Sequence, residues 1–264
     1  MKRVDLGDIE LAVHDQGQGP PLLLVHGFPL DHSMWQPLLG PLSQRLRVLA
    51  PDLRGFGRSA VTEGLVAMET FADDLARLLD ALEVHEPVTL AGLSMGGYIA
   101  WQFWRRHRER LAALVLCDTR AAADTVEIAR GRLQTAERVL VQGPAVLADA
   151  MLERLFAPAS RAEAPALIQS TRDVILGTSP HGIAAALRGM AQRPDVTDWL
   201  REIDLPALVV CGEHDVISPP AEMRAWAAVL PQSRYVEIPA AGHMAPLEQP
   251  QAFLRAWDDW HVSR

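Results

Sequence analysis

The chain is 264 residues long, 49% hydrophobic and 22% charged, with a formal net charge of −8. Those proportions suit a globular domain with a sizeable core, and the acidic balance argues against a nucleic-acid partner, which needs a basic face. No run approaches the roughly 18 apolar residues of a membrane span, and the first residues carry no apolar signal core, so a cytoplasmic protein without membrane association is the default expectation.

Ile9 to His14 alternates like a strand and Gln16-Gly17-Gln18-Gly19-Pro20 reads as a turn, which predicts an opening β-hairpin with the Val4 region. Pro21 to His26 is short and wholly apolar, the signature of a strand covered on both faces in a parallel sheet. It ends in His26-Gly27-Phe28-Pro29. A helix is predicted over Met34 to Leu46 with Ser33 as its cap, then a strand over Arg47 to Pro51. The loop Asp52-Leu53-Arg54-Gly55-Phe56-Gly57-Arg58-Ser59 alternates glycine and charge but lacks any phosphate-loop spacing. Phe71 to Leu82 has the apolar spacing of an amphipathic helix.

Val88 to Gly97, Val-Thr-Leu-Ala-Gly-Leu-Ser-Met-Gly-Gly, is the stretch on which a functional reading turns. It reads as strand, tight turn and helix, with Gly92 and Gly96 flanking Ser94. In that context Gly-x-Ser-x-Gly is a nucleophile elbow: the glycines let strand and helix approach, and the hydroxyl emerges at a helix N-terminus. Arg105-Arg106-His107-Arg108 ends that helix and complements its negative end. Leu111 to Cys117 is the next buried strand. Cys117 and Cys211 both end apolar runs and read as buried, reduced thiols.

Strands alternating with helices predict a doubly wound, mostly parallel α/β sheet of about eight strands. From Ala121 to Trp199 the β signal vanishes, and about four helices are predicted there. The expected organisation is therefore a core over 1–120 and 200–264 with an all-helical cap over 121–199. Strand and helix then recur over Ala207–Cys211, Ala221–Leu230, Arg234–Ile238 and Pro246–Trp260.

A serine needs a base within reach and a third group to hold that base's tautomer. In a parallel sheet, reactive groups gather at the strands' C-terminal edge. His243 follows the last strand in the glycine-bearing loop Pro239-Ala240-Ala241-Gly242-His243-Met244. Asp215 follows the preceding strand in Gly212-Glu213-His214-Asp215; Asp118, directly after the Leu111–Cys117 strand, is its rival and Glu213 a lesser one. The oxyanion donors expected are the backbone N–H groups of Met95 and Phe28. His26 reads as support for its turn.

With these motifs in place, the chain resembles the α/β-hydrolases that carry a helical cap, and among them the small carboxylesterases and the 3-oxoadipate enol-lactonase-like branch. The resemblance spans nearly the whole chain and keeps the family's order Ser…Asp…His. It implies Ser94 as nucleophile, Asp215 as acid, His243 as base, and a supporting role for the Asp52–Ser59 loop. A serine rather than a carboxylate at the elbow implies acyl transfer, hence hydrolysis of a small-molecule ester or lactone, with no cofactor and no metal. The other Ser-triad reactions of the fold remain open: perhydrolysis, amide cleavage, C–C hydrolysis and cyanohydrin lysis, as does a small-ligand receptor. Trp35, Leu152 and Phe156 are the expected pocket residues. The cap's apolar residues (Val139, Leu140, Val146, Leu147, Met151, Leu152, Leu155, Phe156) read first as glue between its helices. A cap arginine turned inward would pair with a substrate carboxylate.

Overall fold

In the computed structural model, which describes residues 1–262, the chain opens with the antiparallel hairpin β1 (Lys2–Asp5) and β2 (Glu10–Gln16). The remaining strands are β3 (Pro21–Val25), β4 (Arg47–Pro51), β5 (Val88–Leu93), β6 (Leu111–Cys117), β7 (Ala207–Gly212) and β8 (Ser233–Ile238). They form one sheet in the order β1-β2-β4-β3-β5-β6-β7-β8, in which β2 runs antiparallel to β4 and the later pairings are parallel. β3, β5 and β7 are buried at every position, as unbroken apolar runs require when helices cover both faces. β8 closes the edge, and its charged residues Arg234 and Glu237 blunt further pairing.

The flanking helices are α1 (Gln36–Ser43), α2 (Met68–Ala81), α3 (Met95–His107), α9 (Pro220–Ala227) and, after the last strand, α10 (Ala245–Glu248) and α11 (Pro250–His261). On α2 the stripe Phe71, Leu75, Leu78 and Leu79 is fully withdrawn from solvent, each side chain contributing about 1.5–3 kcal/mol of burial. The helix expected over Met34 to Leu46 is shorter, since a 3-10 turn over His32–Trp35 precedes α1. Ser33 caps neither: the 3-10 turn is capped by Asp31, whose carboxylate accepts from the Ser33 N–H at 2.8 Å and from the Ser33 hydroxyl at 2.5 Å, and α1 has no side-chain cap. The single helix expected from Pro246 is likewise split, because Pro250 starts a new one at its first turn.

Between β6 and β7 the chain leaves the sheet for a helical insertion: α4 (Val126–Gln142), α5 (Ala145–Leu155), α6 (Pro158–Glu163), α7 (Pro165–Gly177) and α8 (Pro180–Met190). These are five helices, one more than expected. Pro158 and Pro165 each stand in a first helical turn and mark the starts of α6 and α7.

The chain runs outward from β3 to β4, then crosses back to place β5 on the other side of β3. At such a reversal the loops leaving the two strands part and open a crevice at their carboxyl ends. The loop bearing Phe28 and the turn bearing Ser94 leave from there.

Candidate active site

Ser94 joins β5 to α3 with φ 55° and ψ −113°, a left-handed conformation that a serine adopts only under constraint, at about 1–3 kcal/mol. The constraint is visible. The Ser94 N–H donates to the Cys117 carbonyl at 2.9 Å, and its own carbonyl accepts from Gly97 N, Tyr98 N and the Thr119 hydroxyl. A Cβ on Gly92 would lie 2.3 Å from the Gly96 carbonyl oxygen, and one on Gly96 would lie 2.3 Å from that of Val25. Strand and helix therefore close on each other only with glycine at both places. Met95 is the first residue of α3, so its N–H has no acceptor within the helix and stands at the positive end of the helix dipole.

The loop after β3 is held from behind. The buried His26 ring accepts the Leu53 N–H at Nε2 (3.0 Å), which leaves Nδ1 to donate to the Gly27 carbonyl at 2.9 Å. Burial pushes this imidazole below its usual pKa, so it stays neutral and fixes the turn. Phe28 then faces the crevice, and its N–H has no acceptor among the described residues. The Asp52–Ser59 loop braces the same region. Asp52 accepts from His32 N and Nδ1 with one oxygen and from Arg58 N with the other. Burial alone would raise the Asp52 pKa; these hydrogen bonds hold it below the usual range instead. Arg54 is spent on Asp74 through two bonds of 2.5 and 2.7 Å.

The loops after β7 and β8 bring Asp215 and His243 together. His243 Nδ1 lies 2.8 Å from Asp215 Oδ2, and both side chains are buried. Asp215 Oδ1 accepts from Ile217 N at 2.7 Å and Ser218 N at 3.0 Å. With Nδ1 donating to the carboxylate, Nε2 is left as an acceptor. Ser94 and His243 line one cavity.

Asp118 does not take that place; it sits behind it. Its Oδ1 accepts from Gly212 N at 2.7 Å, while Oδ2 is buried without a partner. Asp118, Cys211 and Asp215 gather with their polar atoms within 4.8 Å of one another. Both Asp215 oxygens are already taken by N–H donors. Burial first, and the Asp215 charge second, push the Asp118 pKa well above the carboxylate range. A carboxyl whose folded pKa is raised stabilises the fold fully only below its unfolded pKa of about 3.9 and loses that contribution as pH rises towards the folded value. Asp118→Asn keeps an acceptor for Gly212 and stays neutral. Its melting temperature should exceed that of the parent near neutral pH, with the difference shrinking as pH falls to about 4. A difference that does not change with pH contradicts this assignment.

The cavity measures about 500 Å³. Phe28, Ser94, Tyr98, Ile217 and His243 form its floor, and α4 and α5 form much of its wall. Three expected pocket residues are not there. Trp35 is fully buried in the core, because the 3-10 turn rotates it inward. On α5 the cavity takes Val146, Leu147, Ala150, Met151, Arg154 and Leu155. Leu152, roughly 100° around the helix from Met151, joins Ala148 on the face turned to the hydrophobic core, and Phe156 is buried just past the helix end. The insertion's apolar residues thus divide between lining and packing.

Four arginines line this cavity. Arg120 is paired with Glu222 at 2.8 and 2.7 Å, and Arg132 with Asp124 at 2.5 Å. Asp124 also accepts from Arg193 at 2.9 Å, so one buried carboxylate serves two guanidinium groups. Burial opposes ionisation of Asp124, yet the two arginines hold its pKa below the usual range. Arg138 and Arg154 have no carboxylate partner among the described residues. Four lining arginines against one lining aspartate make the cavity cationic within an acidic chain.

The sequence profile of the alpha/beta hydrolase fold matches residues 20–250. A thermophilic esterase from Thermogutta terrifontis, in a structure with malate bound, superposes with a TM-score of 0.95 at 48% identity, over 97% of this chain and 94% of that one. The 3-oxoadipate enol-lactonase 2 of Acinetobacter baylyi is 26% identical over 94% of this chain and 91% of its own. A Mycobacterium tuberculosis protein provisionally described as a non-heme bromoperoxidase, BpoC, is 30% identical over 92% of this chain and 94% of its own.

Proposed function

The chain belongs to the alpha/beta hydrolase family, and from that premise we propose that it is a serine hydrolase cleaving small carboxylic esters or lactones through an acyl-enzyme on Ser94. The observation that carries this reading is the shared cavity. A serine held at a strained elbow faces the same space as an imidazole whose Nδ1 is fixed by a buried carboxylate.

In this reading His243 Nε2 takes the Ser94 proton as the hydroxyl oxygen attacks the ester carbonyl. The N–H groups of Met95 and Phe28 receive the oxyanion. His243 then gives its proton to the leaving alkoxide, and the ester C–O bond breaks. Water, deprotonated by the same nitrogen, releases the acid and restores Ser94. Asp215 stays ionised throughout. The insertion acts as a cap that sets what can enter. Labelling by a fluorophosphonate at Ser94, together with a hydrolysis screen over p-nitrophenyl esters and lactones, tests the assignment. Absence of both labelling and hydrolysis refutes it. Peracid formation from a carboxylic acid and peroxide belongs in the same screen, given the bromoperoxidase-described relative.

The lining arginines support, within this reading, a substrate carrying a carboxylate away from the scissile bond. Arg138 and Arg154 are free to receive it, and the malate in the Thermogutta esterase structure is a dicarboxylate. Replacing both by glutamine should lower kcat/KM for a dicarboxylic acid monoester by about 10- to 100-fold, as expected for lost charge-assisted hydrogen bonds, and should change a neutral diester little. The parent's preference for the monoester should also weaken with added salt. Equal losses on both esters contradict the assignment.

A further inference from the structure

Glu248 touches neither the cavity nor the reacting groups, yet it joins the two parts of the molecule that must agree for catalysis. One oxygen, Oε1, accepts the Gly242 N–H at 2.7 Å, one residue before His243. The other, Oε2, accepts the Ala157 N–H at 2.8 Å, two residues beyond the end of α5. The segments it bridges are in direct backbone contact. A Cβ on Gly242 would lie 2.6 Å from Ala157 N and 2.8 Å from the Phe156 carbonyl carbon. On the other side, a Cβ on Gly212 would lie 1.9 Å from the Gly242 carbonyl oxygen. The His243 loop is therefore a layer one backbone thick, clamped between the end of β7 and the end of α5. Glu248 itself is anchored by its N–H to the Met244 carbonyl at 2.8 Å, so its carboxylate is presented from within the histidine loop's own turn.

α5 is also a cavity wall, contributing Val146, Leu147, Ala150, Met151, Arg154 and Leu155. Whatever fills the cavity presses on α5, and the end of α5 is tied through Glu248 to the residue preceding His243. Resting on the serine-hydrolase reading above, we propose that Glu248 is a positioning residue that couples occupancy of the cavity under the insertion to the placement of the His243 imidazole. A carboxylate suits this task because both of its oxygens only accept, and both partners are N–H donors. Glutamine cannot serve both: its NH2 would face one of the two donors.

Glu248→Gln and Glu248→Ala test this, using monomethyl adipate, a chain long enough to extend from Ser94 towards α5, and methyl acetate, which is too small to fill a cavity of about 500 Å³. Hydrolysis is followed by proton release. With monomethyl adipate, kcat should fall about tenfold in E248Q and further in E248A, with KM moving less than about threefold, the pattern of a mispositioned base rather than weakened binding. With methyl acetate, kcat should fall less than about threefold. Hydrogen exchange at the Ala157 and Gly242 amides should quicken in both variants. Circular dichroism and the melting temperature establish that each variant is folded. Equal kcat losses on the two esters, a change confined to KM, or no loss at all overturns the coupling. A parent protein that cleaves neither ester and does not label refutes the serine-hydrolase reading instead.

Discussion

Ser94→Ala should abolish ester hydrolysis, with kcat down by at least about 10⁴ and up to about 10⁶. The fold should survive intact, because the hydrogen bonds that hold Ser94 are made by its backbone N–H and carbonyl, not by its hydroxyl. Alanine loses only the hydroxyl and inherits the same φ of 55°. Ser94→Gly sharpens the test. Glycine adopts positive φ without penalty, so this variant should be equally inactive but more stable, by about 0.5–1 kcal/mol in chemical denaturation. A gain in stability with loss of activity at one position is what strain held for function predicts. If Ser94→Ala keeps the parent's rate on p-nitrophenyl esters, the nucleophile is elsewhere and the elbow is only a tight turn.

The elements that carry this chemistry were readable in the sequence because each is fixed by local rules. Gly92-Leu93-Ser94-Met95-Gly96 must be a strand-to-helix turn, since no other residues let β5 and α3 close to the distances seen. The loops bearing Asp215 and His243 each follow a short strand, and parallel pairing brings the ends of such strands to one edge. The eight-strand sheet followed from the same alternation. What stayed hidden depends on partners distant in sequence. Leu152 and Met151 are equally apolar neighbours on α5, and only the placement of that helix over the sheet sends one to the core and the other to the cavity. Trp35 differs in cause: the 3-10 turn over His32–Trp35, which no apolar periodicity announces, places it in the core. Which lining arginines are neutralised is decided by where Asp124 and Glu222 fall, and Glu222 stands 102 residues from the Arg120 it holds. Glu248 left a faint signal: an acidic residue directly after the apolar stretch Met244-Ala245-Pro246-Leu247, two residues before a proline-led helix. Its bond to Ala157 spans 91 residues, and no spacing rule anticipates it.

Asp215→Asn should lower kcat by about 10⁴ while leaving the structure essentially unchanged. The reason lies in how the side chain is held. Asp215 Oδ1 takes two backbone donors, Ile217 N and Ser218 N. An asparagine must keep its carbonyl oxygen there, because its NH2 would otherwise confront two N–H groups. That leaves the NH2 facing His243 Nδ1, 2.8 Å away in the parent. The imidazole then has to accept at Nδ1 and carry its proton on Nε2. In that tautomer Nε2 cannot take the proton of Ser94, and the imidazolium that would form has lost its counter-charge. Asp118 does not make that bond: it sits behind Asp215 with its Oδ1 on the Gly212 N–H, and His243 Nδ1 is turned to Asp215 instead. The Asp118→Asn, Asp215→Asn double variant should therefore be no less active than Asp215→Asn alone. If the single variant keeps more than about a tenth of the parent's kcat, or if the double variant falls well below the single one, a second carboxylate is acting on His243 and the assignment of Asp215 as the orienting acid must be withdrawn.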